Sequence, residues 1–292
     1  MNNIHSHIAA NKRNTYLIMA MFIGLIGVVA YFVLKFLSVP SAMLYVVVGV
    51  SILYVGVQYF FADKLALKST GAKPVDSVSH PRLWNLVKKL ADSQSMPMPA
   101  LYIIEDSAPN AFATGRNPRK AVVAATTGIL DIMDDRELSA VLAHELSHVK
   151  NYDIRVSMIA FGLVSIIGAL TNFLSWAFMF GGNSDEDQHP AQMIVSIALV
   201  FLAPFAALLI QMAISRQREY LADASGTAMT NDAEGLARAL EKLRDHAKPL
   251  LRQDTTTAHL FIANPLKAGG IDSLFSTHPP LDMRIQRLRG QK

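Results

Sequence analysis

Four long apolar runs divide the chain: Tyr16 to about Leu37, Met43 to about Ala62, Val156 to about Phe180 and Ala191 to about Ile214. A helix crosses the hydrocarbon of a bilayer in about 20 residues, so each run predicts a transmembrane helix. Lys35 is the one charged residue inside them, near an end where its stem can carry the ammonium to the interface. Between the second and third runs the pattern changes. Residues 81–94 place Leu83, Trp84, Leu86, Val87 and Leu90 at helical spacing. Three short runs bounded by Pro, Gly and Asn follow, Leu101–Ile104, Asn110–Gly115 and Ala121–Ala125, and read as strands. A further helix opens near Asp134, where Asp134-x-x-Glu137 has the form of a capping box.

Hydrophobic residues make up 51% of the 292 and charged residues 17%, a balance too apolar for an ordinary soluble domain. The first run is too long, and too closely followed by the second, for a cleaved signal, so it is expected to stay as an anchor. Loop charges orient the spans. Lys12, Arg13, Lys64, Lys68, Lys150, Arg155, Arg216 and Arg218 flank one side, and the loop from Gly181 to Pro190 carries only Asp185, Glu186 and Asp187. Both termini and the helix after Asp134 therefore fall on the cytoplasmic side. The absence of Cys agrees with a reducing compartment and excludes thiolate metal sites and disulfides. The net charge of +4 implies no nucleic-acid partner, because the basic residues cluster where anionic lipid explains them.

The helix after Asp134 carries His144-Glu145-Leu146-Ser147-His148. Residues four apart share a helix face, so both imidazoles can reach one metal ion, with Glu145 beside them as general base. A catalytic zinc needs a third protein ligand. The metzincin solution is excluded, since Asn151 and Ile154 stand where its glycine and third histidine belong. A glutamate on a later helix is the alternative, and Glu219 is the candidate. Asp223, one turn on, is assigned to the distal N–H of His144, which it would orient. The alternative for each is an exposed carboxylate on a helix surface. His148 lies just before the third run and Glu219 just after the fourth, so an antiparallel hairpin of those spans returns the ligands to one another near the membrane surface. The charged residues around the motif keep the site out of the hydrocarbon, against an intramembrane protease. Spans almost without ionisable residues argue against a metal transporter, and the presence of Glu145 against a non-catalytic scaffold.

These segments together resemble the HtpX-type membrane zinc metalloproteases, relatives of the CAAX-prenyl proteases. The likeness is carried by His144-Glu145-x-x-His148-x-x-Asn151, Pro109–Gly115, Ser215-Arg216-x-Arg218-Glu219-x-x-Ala222-Asp223-Ala224 and Ser276-Thr277-His278-Pro279-Pro280. It implies an α+β membrane protein, mainly helical, with four transmembrane helices and a cytoplasmic zincin-like (gluzincin) domain around a small β-sheet. The divisions expected are a cytoplasmic N-terminus (1–15), a membrane hairpin (16–62), the protease subdomain with the motif helix (63–155), a second hairpin (156–214) and a C-terminal subdomain with the third ligand (215–292). The resemblance further implies a zinc metalloendopeptidase of the bacterial inner membrane, with a single Zn2+. It would cleave cytoplasmic segments of damaged or misassembled membrane proteins in stress-related quality control.

Two further roles are expected. His278, in a segment stiffened by two prolines, is either a donor to the developing oxyanion or a surface histidine beside a turn. Asn110, Ala111, Phe112 and Ala113 belong either to an edge strand that pairs with an extended substrate or to an interior strand of the sheet. His5 and His7 belong to a terminal segment. His80, before Pro81, belongs to a helix entry, and His189, His246 and His259 lack partners at ligand spacing.

Overall fold

The computed structural model describes residues 2–36, 40–180, 216–252, 256–263 and 279–290. The run from Ala191 to Ile214 and the residue His278 lie outside them. Three long helices, α1 (Asn2–Phe36), α2 (Ala42–Thr70) and α6 (Asp153–Phe180), pack against one another. The first begins at Asn2, so residues 2–15 and the first apolar run belong to one continuous helix. Nothing breaks it: Asn11, Lys12, Arg13, Asn14 and Thr15 continue the helix without glycine or proline. Among the described helices, α2 is the one long and apolar enough by composition to cross a membrane. Tyr45, Val46, Val50, Leu53, Phe60 and Phe61 stand exposed along it.

The sheet has the order β1-β2-β4-β3, with β1 (Lys73–Val75), β2 (Ala100–Ile104), β3 (Ala111–Thr114) and β4 (Val122–Thr126). Three strands fall where the short apolar runs and their bounding turn residues place them. The fourth, β1, is three residues around Pro74 and carries no pattern of its own; it sits antiparallel on β2 at an edge, where a missing N–H is tolerated. β2 and β4 run parallel, β4 and β3 antiparallel.

The two faces of the sheet meet different partners. Ala111, Ala113, Val123 and Ala125 join the core formed with α3 (Pro81–Ser93) and α5 (Asp135–Lys150), while Phe112, Val122 and Ala124 face the cluster that includes Ile18, Val55, Val156 and Phe161 of the long helices. Side-chain alternation along a strand is what lets one four-residue element serve both. After β4 comes a short α4 (Thr127–Ile132), and then α5 runs through the centre, with every residue from Leu138 to Ser147 buried except Ser139. It starts on a complete capping box: Glu137 N–H donates to Asp134 Oδ1 at 2.8 Å, and Asp134 N–H donates to Glu137 Oε2 at 3.0 Å. Two later helices cover it, α7 (Arg216–Thr230) and α8 (Ala233–Asp245), and a short α9 (Leu281–Leu288) packs on both. Lys242 of α8 meets the buried carboxylate of Glu137 at 2.6 Å, so the capping glutamate is also an ion-pair partner.

Candidate metal centre

His144 and His148 sit one turn apart on α5, and their Nε2 atoms face each other at 3.2 Å. Glu219, on α7, completes a triangle: Oε2 is 3.6 Å from His144 Nε2, and Oε1 is 3.5 Å from His148 Nε2. Ligands about 2.0–2.1 Å from one tetrahedral ion stand about 3.3–3.4 Å apart, so these spacings suit an ion of zinc's size. The protonation pattern agrees. His144 Nδ1 lies 3.0 Å from Asp223 Oδ1, and His148 Nδ1 lies 2.9 Å from Asp153 Oδ2. A carboxylate at each Nδ1 makes that nitrogen the N–H donor and leaves the Nε2 lone pair facing the ion.

Electrostatics make the site a cation trap. Burial alone would push the His144 imidazole down, and Arg284 adds to that. The carboxylates of Asp223 and Glu219 outweigh both and hold it up at about 9. For Asp223, burial works upward, but the charge of Arg284 and the hydrogen bond from His144 pull it down to about 2. Four carboxylates, those of Glu145, Asp153, Glu219 and Asp223, crowd two imidazoles and the guanidiniums of Arg218 and Arg284, and a divalent ion adds positive charge where the field favours it.

Arg284, on α9, is fully buried. Its Nε and Nη2 grip Asp223 at 3.0 and 2.6 Å, and Nη1 reaches to 3.6 Å from Glu219 Oε2. The fork thus fixes the carboxylate that fixes His144. Glu145, 2% exposed, lines a cleft with Ala113, His148, Asp153, Arg218 and Glu219. The cleft holds about 30 Å³, room for roughly two waters.

The geometry divides the four expected substrate-strand residues. β3 pairs only with β4 among the described strands and is an edge. Asn110 accepts the N–H of Thr126 at 2.9 Å, and alternation then points the backbone of Ala111 and Ala113 outward. Ile262 N–H already donates to Ala111 O, and Asn110 exchanges two side-chain hydrogen bonds with Ala263. Phe112 packs edge-on against Phe261 in the core. Ala113 is the outward-facing residue that lines the cleft. The segment around Phe261 therefore occupies the start of the strand, and Asn110, Ala111 and Phe112 serve its attachment. His259, which lacks a partner in sequence, belongs to the same segment. It is buried in the cleft wall, with Nε2 at 3.2 Å from the carbonyl of Ser157.

The profile of "Peptidase family M48" matches residues 77–292, every described element from α3 onward. The chain belongs to this family. A "Protease HtpX homolog" from Tropheryma whipplei (strain Twist) is 47% identical over 286 residues, covering 98% of both chains. Another, from Streptococcus gordonii, is 39% identical over 297 residues, covering 98% of this chain and 99% of that one. Among solved structures, Ste24p of S. mikatae aligns with a TM-score of 0.50 at 19% identity, over 96% of this chain and 66% of that longer one. That likeness concerns the fold alone. Membership of M48 makes the chain a metallopeptidase, and His144, His148 and Glu219 are a group that could hold the metal.

In this M48 chain the approach of α7 to α5 depends on Gly226. Glu219, Ala222, Asp223 and Gly226 share a face at helical spacing, and a Cβ on Gly226 would lie 2.9 Å from His144 N and 3.0 Å from its Cα. Those are backbone atoms and cannot step aside, so Gly226→Ala forces the helices apart and draws Glu219 from the imidazoles. The expected cost is about 1–3 kcal/mol of stability, together with weaker metal binding. Thermal melts with and without zinc check this. An unchanged zinc affinity would show that α7 yields without moving Glu219.

Proposed function

We propose that this chain is a zinc-dependent endopeptidase anchored by several spans in the bacterial inner membrane, acting on the cytoplasmic side on segments of damaged or misassembled membrane proteins. The observation that carries the reading is the convergence of two carboxylate-backed imidazoles and Glu219 beside Glu145, in a cleft walled by the outward backbone of Ala113. The exposed apolar residues of α2 support lipid contact, since a soluble surface rarely leaves such a stripe uncovered. The loop charges support the orientation, and the four apolar runs support two membrane hairpins, at 16–62 and 156–214, flanking the protease subdomains.

His144, His148 and Glu219 would hold the zinc, which when bound polarises the scissile carbonyl and lowers the pKa of a water to about 7. Glu145 then takes the proton of the attacking water and delivers it to the departing amine. Asp223 and Asp153 keep the two rings in the tautomer that faces the metal. The N–H and C=O of Ala113 align an extended peptide by a single rung of strand pairing. His278 remains the proposed donor to the oxyanion.

Vesicles of the two orientations test the reading. Inside-out vesicles bearing the chain are expected to cut an added unfolded polypeptide, to stop on chelation and to recover with zinc. Cleavage confined to right-side-out vesicles would overturn the orientation, and cleavage indifferent to chelation would overturn the zinc mechanism.

A further inference from the structure

The amino-terminal helix reaches into the support of the metal pair. Asn11 lies in α1, outside the residues that the M48 profile matches, and its side chain is buried. Its Nδ2 donates to the carbonyl of Asn151 at 2.9 Å and to Asp153 Oδ1 at 2.7 Å. The other oxygen of the same carboxylate, Oδ2, takes the N–H of His148 at 2.9 Å. One carboxylate thus joins the first helix of the chain to a metal-facing ring. A carboxylate held at one oxygen can still swing about its bond to Cβ; held at both, it presents a fixed acceptor to the imidazole.

The corner that carries this carboxylate is strained. Between the end of α5 and the start of α6, Tyr152 has φ +61°, in the left-handed region that a residue with a Cβ occupies at a cost. That conformation turns the chain sharply enough to bring Asp153 under His148, five residues back. Both of the neighbouring α1 side chains close on this corner. Asn11 bonds the residues on either side of Tyr152, and Lys12 places its ammonium 4.5 Å from the centre of the Tyr152 ring. Thr15, fully buried one turn on, donates to the Asn11 carbonyl at 2.9 Å. A buried amide is costly unless its donors are met, and here the corner meets them.

We infer that Asn11 is a positioning residue for the metal centre: through Asp153 it fixes the ring of His148, so that the seating of the amino-terminal helix sets how tightly the site binds zinc. The inference rests on the zinc-site reading above. It makes α1 part of the active-site scaffold as well as an anchor, and gives the chain a physical route by which the state of its membrane helices reaches the chemistry.

The test measures zinc affinity, by chelator competition, of the metal-stripped full chain in detergent. Direct partners of metal-bound histidines are worth about 10- to 100-fold in affinity, so Asp153→Ala is expected in that range and Asn11→Ala, one bond further out, at about 3- to 10-fold. In the Asp153→Ala background, Asn11→Ala is expected to add less than about twofold, because the route it acts through is gone. Cobalt-loaded Asn11→Ala should also show shifted d–d absorption relative to the parent. Asn11→Leu, similar in size but without donors, serves if the alanine variant does not fold, with the same expected losses. An affinity unchanged by removing the amide, or an equal loss with and without Asp153, would overturn the inference and leave the zinc site standing. A parent chain that binds zinc no better than His148→Ala would overturn the zinc site itself, and this inference with it.

Discussion

Glu145→Gln is expected to lower the rate of peptide hydrolysis by about 10²- to 10⁴-fold, the range for loss of a positioned general base, with zinc content unchanged. Glutamine matches glutamate in size and keeps its place in the cleft, where Glu145 is 2% exposed. What it cannot do is take a proton. His144, His148, Glu219 and the carboxylates behind the imidazoles are untouched, so the metal-holding geometry survives. Elemental analysis beside steady-state kinetics separates the two properties. A variant with full zinc and turnover within about tenfold of the parent would remove Glu145 from the role of base.

Glu219→Ala is expected to act on binding as well as rate. Structural zinc sites bind with about 10–16 kcal/mol; shared over four ligands, that is about 2.5–4 kcal/mol for one, or about 10²- to 10³-fold in Kd. The loss is aggravated by what remains. Arg284 Nη1, 3.6 Å from the missing carboxylate, keeps its charge in a buried site and opposes an incoming cation. Asp223→Ala is expected to cost less, about 10- to 100-fold, because it removes the support of His144 and leaves all three ligands. If the two losses were equal in size, ligand and support would have to be exchanged.

How much of this site is legible in the sequence follows from how local each part is. His144 and His148 are one helical turn apart, so their spacing alone places them together. Glu219 and Asp223 are also one turn apart, and the hairpin argument brings that turn back to the motif. The strands β2, β3 and β4 follow from their apolar runs and the turn residues around them. Arg284 is different. It lies 61 residues beyond Asp223, reaches it only through the packing of α9, and in sequence is one of several arginines near the C-terminus. Asp153 reads as one more charge flanking the motif until the left-handed turn at Tyr152 folds it under His148. His259 meets Ser157 across 102 positions and Ile262 meets Ala111 across about 150, contacts which no periodicity encodes. Asn11 is hidden for the same reason, standing 142 positions before Asp153. Gly226 is the one further signal near at hand: a small residue on the face of Glu219 and Asp223 marks the place where a second backbone comes close.

The coordination of bound zinc tests the central claim most directly. X-ray absorption on the zinc-loaded parent chain is predicted to show two imidazole nitrogens at about 2.0–2.1 Å and oxygen ligands at about 2.0–2.2 Å. The imidazole signal should halve in His148→Ala, and the oxygen shell should change in Glu219→Ala. A parent spectrum without imidazole scattering, or one that survives both substitutions unaltered, would contradict the assignment of His144, His148 and Glu219 as the metal centre.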